Sequence, residues 1–292
     1  MNVIFYHKNC LDGLAAAWAV WHHFQKDGIQ TRSQGVLYNE TMPEFGKGDD
    51  VFIVDFSYSP TEIAEAAKKA RTLTLIDHHI TAQQAHEAYW AKNPLPGNVR
   101  IIFSQDHSGC VLAWRHFNPN QTIPRLLGLI EDHDLWRFNE DSTKAVMCAL
   151  HSRMPMGIIK FDNLLNEEPI GELDALGMIL LEQREKTVLR LQAKQHWIKL
   201  GAANGLAVNA PPEFSSDLGH VLAKASGTFG VSYQFDGATA RWLFSVRSTG
   251  DYDVGAIAQT YGGGGHKNAA GFSVNPETFF KLMQETCVLA NP

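Results

Sequence analysis

Residues 72–79 read Thr-Leu-Thr-Leu-Ile-Asp-His-His, an apolar run of strand length that stops abruptly at one carboxylate and two imidazoles. The same construction recurs upstream. Asp50–Phe56 (DVFIVDF) is an apolar run whose end carries Asp55, and Asn2–Tyr6 (NVIFY) is followed by His7, Cys10 and Asp12-Gly13. Val99–Ser104 reads as a fourth strand. Between these runs lie helical patterns, Gly13–Phe24 (rich in Gly and Ala) and Pro60–Arg71, the latter with Ser59 or Thr61 near its cap. Strand-helix-strand alternation of this kind predicts an α/β fold with a parallel sheet and helices on both faces. Ligands of such sheets sit at the carboxyl ends of the strands, where the polar residues following each run converge.

Further along, residues 171–200 read as one long amphipathic helix, a connector rich in Leu, Glu, Gln, Arg and Lys. A new alternation begins after Gly205. LAVNA (206–210), FGVSYQF (229–235) and ARWLFSVRS (240–248) read as strands, with helices at Ser216–Ala225 and Val254–Tyr261. The organisation predicted is an N-terminal parallel-sheet domain (1–170), a helical connector (171–203) and a smaller α/β domain with a mixed sheet (204–292).

The chain has 292 residues, 45% hydrophobic and 19% charged, with a formal net charge of −6. That is apolar material enough for two cores. The acidic balance provides no broad electropositive footprint of the kind that grips a long nucleic-acid duplex. Cys10, Cys110, Cys148 and Cys287 are far apart and form no CxxC pair, so they read as neither a zinc signature nor a disulfide framework. With no signal-like leader and no apolar stretch of membrane-spanning length, the expectation is a soluble, cytoplasmic protein without a membrane partner. A Walker loop and a G-x-S-x-G elbow are both absent, which argues against a P-loop nucleotidase and a serine hydrolase.

Carboxylates crowding one rim repel each other unless a cation lies between them. Glu131-Asp132-His133-Asp134, at the end of the helical run LLGLI, adds a further acidic cluster. Oxygen donors with one or two imidazoles suit manganese, magnesium or iron better than a structural zinc site. Two ions about 3.5–4 Å apart resolve the repulsion and provide for in-line attack on phosphorus.

The order His7-x-x-Cys10-x-Asp12-Gly13, Asp55, Asp77-His78-His79, Ser108-Gly109 and Asp132 resembles the DHH phosphoesterase superfamily. Arg247-Ser248 and GGGGHKNAAGF (262–272) resemble the DHH-associated C-terminal domain. The resemblance implies that His7, Asp12, Asp55, His78 and Asp132 hold metal, with Asp55 bridging two ions and Mn2+ the implied pair (Mg2+ or another divalent ion the alternative). Asp134 competes for the Asp132 role, since the spacing in EDHDLW permits either. Asp77 is implied to orient His78, and His79 to face phosphate as a donor or acid. Ser108, Arg247, Ser248, Gly264, Gly265 and His266 are the implied substrate-binding groups, the glycines by letting backbone N–H groups approach an anion.

Cys10 stands where many relatives have Asp. It reads either as a ligand for a softer metal, as the weak point of one metal site, or as a packing residue beneath the loop. The function implied is hydrolysis of short oligonucleotides, linear or cyclic dinucleotides or nucleoside bisphosphates, with a homodimer compatible. The alternatives are a single-strand exonuclease and a nucleotide-binding sensor with a metal centre impaired at Cys10. A pyrophosphatase reading is disfavoured by the glycine–histidine segment.

Overall fold

The computed structural model describes residues 1–38 and 40–289, with side chains through Glu285; Cys287 lies outside the described side chains. The chain divides into two compact units, Met1–Leu181 and Glu182–Pro292.

In the N-terminal unit the order is β1 (Asn2–His7), α1 (Leu11–Gln25), β2 (Thr31–Val36), β3 (Asp50–Val54), α2 (Pro60–Ala67), β4 (Thr72–Asp77), α3 (Ile80–Trp90), β5 (Val99–Phe103), α4 (Gly109–Phe117), α5 (Arg125–Asp134), α6 (Thr143–His151) and α7 (Ile158–Glu167), followed by α8 (Ile170–Gln192), whose second half belongs to the next unit. The five strands form an all-parallel sheet in the order β2-β1-β3-β4-β5. Because side chains alternate across a strand, each buried strand feeds two cores. Ile4, Phe52, Val54 and Ile76 pack on the face covered by α1 and α4. Val3, Phe5, Val51, Ile53, Leu73 and Leu75 pack on the opposite face against Ile63, Ala66 and Ala67 of α2. The parallel α/β architecture expected from the sequence is therefore present. Ser59 caps α2 in a reciprocal box with Glu62, which fixes where that helix begins.

β2 is absent from the sequence reading. Its residues, TRSQGV, are mostly exposed at the sheet edge, so they lack the apolar run that marks the inner strands.

A close approach fixes α8 against α6. A Cβ on Gly177 would lie 1.8 Å from the Ala145 carbonyl oxygen. Gly177→Ala is expected to destabilise the N-terminal unit by about 1–3 kcal/mol, read as a lowered thermal midpoint, because backbone rather than a flexible side chain must yield.

The C-terminal unit continues with β6 (His196–Leu200), β7 (Ala203–Asn209), a short 3-10 turn, α9 (Ser215–Ser226), β8 (Phe229–Asp236), β9 (Arg241–Ser248), α10 (Val254–Thr260), β10 (Gly264–His266), β11 (Ala269–Val274) and α11 (Pro276–Leu289). Its six-stranded sheet has the order β10-β11-β9-β8-β7-β6. Only β7 and β8 pair in parallel, so the sheet is mixed as expected. Leu206 and Val208 meet Leu218 and Leu222 of α9 on one face. Phe244, Val246 and Phe272 meet Val254, Ala258, Phe279 and Leu282 on the other.

The predicted helix over 171–200 ends early, at Gln192. His196–Leu200 instead pairs antiparallel with Ala203–Ala207, so the second sheet begins before residue 204. Segment HWIKL alternates with period two, with Ile198 and Leu200 buried. Neither Gly nor Pro separates it from the helix, and an amphipathic charge pattern runs through both. Among the described residues no helix is long and apolar enough to cross a membrane, and Cys10, Cys110 and Cys148 take part in no disulfide.

Candidate metal centre

Strand order decides where the site forms. In the order β2-β1-β3-β4-β5 the chain runs outward in opposite directions from the β1/β3 boundary, the switch point at which doubly wound sheets bind ligands. His7 ends β1, Asp55 follows β3 and Asp77-His78-His79 ends and follows β4. These are three neighbouring strands, so their termini lie about 4.8 Å apart in the sheet direction. Asp12 arrives from the first turn of α1. That helix starts flush on the strand below it: a Cβ on Gly13 would lie 2.4 Å from the His7 carbonyl oxygen. Asp55 has φ of 53°, a left-handed conformation that short polar side chains tolerate better than most. It turns the carboxylate inward just where β3 ends.

His78 Nε2 is 3.1 Å from Asp55 Oδ1, 3.6 Å from Asp134 Oδ2 and 3.8 Å from Asp12 Oδ2. His7 Nδ1 is 3.7 Å from Asp55 Oδ2. Donor atoms fall into compact groups, Asp12-His78-Asp134, His7-Cys10-Asp55 and Asp55-Asp77-His78-His79, each within 4.8 Å internally. Asp12, Asp55 and Asp77 are all buried.

The structure does not bring Asp132 to this cluster. Its carboxylate accepts from Asn139 N at 2.8 Å, Glu140 N at 3.3 Å and Thr143 Oγ1 at 2.5 Å, so it ties the turn after α5 to the start of α6. Asp134, two residues further round the helix end, supplies the carboxylate instead. Ser108 also has a different part from the one implied. It is fully buried, and its hydroxyl donates to Asp12 Oδ1 at 2.7 Å. Gly109 N and Cys110 N donate to the same carboxylate at 2.6 and 3.0 Å. The N-terminus of α4 is thereby a socket for Asp12, the usual preference of a helix start for an anion.

Asp77 orients a ring, but that of His79 rather than His78. Asp77 Oδ1 lies 2.6 Å from His79 Nδ1 and accepts from the His78 and His79 backbone N–H groups. On its far side His79 Nε2 meets Tyr38 Oη at 3.2 Å. Tyr38 also sets its ring against His7, with centroids 4.8 Å apart. Tyr38 lies two residues past β2, an edge strand with no apolar run, and VLY (36–38) is the local signal that the sequence offers for it.

Electrostatics expose the crowding. Burial, then Asp55 and Asp134, push the Asp12 carboxyl well above its ordinary value. Burial in the cleft and the nearby Asp55 push Asp134 up to about 6. For Asp55 burial acts upward, but the imidazoles of His7 and His78 outweigh it and hold the carboxyl below the carboxylate range. His78 is pushed up to about 10, burial being overcome by the Asp55 hydrogen bond and the surrounding carboxylates. Protons and imidazolium are thus offsetting negative charge that a cation would offset instead. Asp55 Oδ2 and Asp77 Oδ2 are buried and without a hydrogen-bond partner. Three carboxylates, two imidazoles and an orphaned oxygen fit a divalent cation.

A pH test follows. An acid whose folded pKa lies above its unfolded value near ~3.9 stabilises the fold at low pH. That contribution is lost as pH rises through the folded value, here through about 6 for Asp134. Divalent ions that displace these protons should therefore stabilise little at pH 5 and much more at pH 7.5. The expected rise in thermal midpoint with saturating manganese is about 5 °C or more at the higher pH.

The C-terminal groups lie in their own unit. His266 pairs with Ala269 and Ala269 with Arg247 across β10, β11 and β9, so Arg247 and His266 occupy one row and one face of the sheet. Arg247 donates to Val246 O at 3.1 Å and Ser216 Oγ at 3.4 Å, and burial lowers its pKa. Ser248 is buried, with its hydroxyl given to Tyr252 O at 2.5 Å and accepting from Asn268 Nδ2 at 2.9 Å. Gly264 faces open space, whereas a Cβ on Gly265 would lie 2.5 Å from Ala269 O. Gly265 is therefore needed for the β10–β11 pairing, whatever it offers an anion.

Fold and rim together define a doubly wound α/β protein with a cluster of carboxylates and histidines at its switch point that could hold a metal ion. The chain belongs to the DHH superfamily of phosphoesterases: residues 2–133 match the DHH family N-terminal domain and residues 216–287 match the DHHA1 domain. Among curated relatives it is 27% identical to an uncharacterised protein of Acanthamoeba polyphaga mimivirus, over 94% of this chain and 67% of that one. It is 22% identical to oligoribonuclease NrnB of Bacillus subtilis (strain 168), over 96% and 75%. Among solved structures it is similar to the pGpG-specific phosphodiesterase PggH of Vibrio cholerae (TM-score 0.51, 13% identity, 99% and 98% covered). Exonuclease RecJ bound to manganese is a further structural relative (TM-score 0.55, 15% identity, 100% and 90% covered). The two structures bear on the fold alone.

Proposed function

We propose that this chain hydrolyses phosphodiester bonds of short oligonucleotides and dinucleotides with divalent cations held at the β1/β3 switch point. The observation that carries the reading is the convergence of Asp12, Asp55 and Asp134 with His7 and His78 around buried oxygens that nothing else in the fold satisfies. His7, Asp12, Asp55, His78 and Asp134 are the proposed metal-holding residues, with Asp134 taking the part expected of Asp132. Manganese is the proposed ion, in keeping with the oxygen-rich donor set and with the RecJ relative. Bound there, the cations would neutralise phosphoryl oxygens and lower the pKa of water.

The remaining work falls to side chains. Asp77 holds His79 in one tautomer, leaving Nε2 directed at Tyr38. Burial and the neighbouring carboxylates push the Tyr38 phenol upward, so it stays a neutral hydrogen-bond donor. Neutral His79 accepts from the Tyr38 hydroxyl through Nε2, whereas its imidazolium form, which Asp77 favours against burial, carries an Nε2–H that can donate to a phosphoryl oxygen or pass a proton to the leaving oxygen. Asp12, fixed on the α4 N-terminus, keeps its donor atom in place without a rearrangement on binding. Arg247 and His266 are proposed as anion-binding groups of the C-terminal unit. The acidic net charge favours short substrates, and the similarity to an oligoribonuclease supports the same class.

The test is a product profile in manganese on linear dinucleotides, cyclic dinucleotides, nucleoside bisphosphates and long single strands. Turnover of dinucleotides at least about tenfold above that of long strands is expected on the electrostatic argument. A preference for long strands would favour the exonuclease reading, and tight dinucleotide binding without turnover would favour a sensor.

A further inference from the structure

The rim contains two kinds of donor, and they are not mixed at random. Asp12, His78 and Asp134 form a group of oxygen and nitrogen only. Beside it, His7, Cys10 and Asp55 offer one nitrogen, one sulfur and one oxygen, all within 4.8 Å of one another. Cys10 is the N-cap of α1, yet its side chain makes no capping hydrogen bond, so Sγ is left for another purpose. Asp55, 1% exposed, places its partnerless Oδ2 in the same group, 3.7 Å from His7 Nδ1. A buried carboxylate oxygen without a partner is costly, and a thiol and an imidazole within reach of it are what a cation needs. Asp55 Oδ1 meanwhile faces His78 at 3.1 Å, so the carboxylate stands between the two groups.

We propose that His7, Cys10 and Asp55 form a sulfur-containing half-site that selects a borderline transition ion (zinc, iron(II) or cobalt(II)) over magnesium and manganese, making the centre chemically asymmetric. The proposal rests on the reading of the rim as a cation centre and goes beyond it by assigning the ion class to each half. Thiolate is a soft donor that favours zinc and iron over hard cations, whereas carboxylate and water favour magnesium and manganese. On binding, the S–H bond breaks, its proton leaves to solvent and the sulfur electron pair forms the bond to the metal, with no change of oxidation state.

Two measurements test it. Zinc-loaded full-length chain examined by X-ray absorption should show one sulfur neighbour at about 2.3 Å. Cobalt(II) titrated into the metal-free protein should produce a near-ultraviolet thiolate-to-metal charge-transfer band, lost in Cys10→Ser and retained in Cys148→Ser. Cys10→Asp should reduce the ratio of zinc to manganese affinity by about tenfold or more. Zinc bound only through nitrogen and oxygen in the unaltered chain, or a band that survives Cys10→Ser, overturns the proposal. A sulfur neighbour in a protein that hydrolyses none of the panel substrates overturns the proposed activity and leaves this site standing. Manganese-supported turnover with no sulfur bound to zinc does the reverse.

Discussion

Asp55→Asn is expected to lower kcat on dinucleotides by about a thousandfold or more while leaving the thermal midpoint of the metal-free protein nearly unchanged. The substitution is chosen for its backbone. Asp55 sits at φ 53°, where alanine adds strain of about 1–2 kcal/mol and asparagine adds little. Asn keeps the shape and one oxygen but removes the charge, and with it the donor that faces both His7 and His78. Both halves of the centre should lose affinity together, which calorimetric titration with manganese would register. Retention of more than a tenth of the activity would show that Asp55 is peripheral.

The second large effect is expected from a methyl group. Gly109 opens α4 against the rim, and a Cβ there would lie 2.6 Å from Asp55 Cβ, 2.8 Å from Asp55 Oδ1 and 2.9 Å from Asp12 Oδ2. Neither carboxylate can retreat without leaving its place. Asp12 is held by three donors from Ser108, Gly109 and Cys110, and Asp55 leaves the buried end of β3. Gly109→Ala should lower kcat/KM by about a hundredfold, since displacements near 1 Å are costly at a reacting centre. Stability should fall by about 1–3 kcal/mol from overpacking. Gly128→Ala on α5, where a Cβ meets nothing, provides the contrast: activity unchanged and stability slightly raised. Equal behaviour of the two variants would mean that the α4 start does not shape the centre.

How the sequence announced the site and where it fell silent have physical causes. The inner strands β1, β3 and β4 are buried on both faces, so each reads as an apolar run, and its terminating His or Asp stands out against it. That made His7, Asp55 and His78 visible one by one. The edge strand β2 is largely solvent-facing and offers no such contrast, so Tyr38, two residues past its end, was invisible with it. Asp132 and Asp134 lie two positions apart at a helix end, where side chains diverge by roughly half a turn. The turn at Asn139 and Glu140 captures Asp132, a long-range fact that local spacing does not contain. Ser108 was recognisable as a residue of the site, but whether a hydroxyl meets substrate or a carboxylate depends on the packing of α4 on α1. The helix-to-strand change between Gln192 and His196 passed without a Gly or Pro to mark it, and only pairing with β7 decides it.

The donors are widely spaced along the chain, from His7 to Asp134, and no two of the carboxylates at the rim belong to the same element. During synthesis the early donors emerge long before β4 and α5 exist to complete the Asp12-His78-Asp134 group. A complete centre of the proposed kind can therefore form only once the parallel sheet is assembled and α4 has received Asp12. Small zinc modules use the ion to organise an unfolded chain. On the proposed reading, loading here is instead a finishing step on a body that has already folded, and the ion acquired is decided by the donors that the folded rim presents.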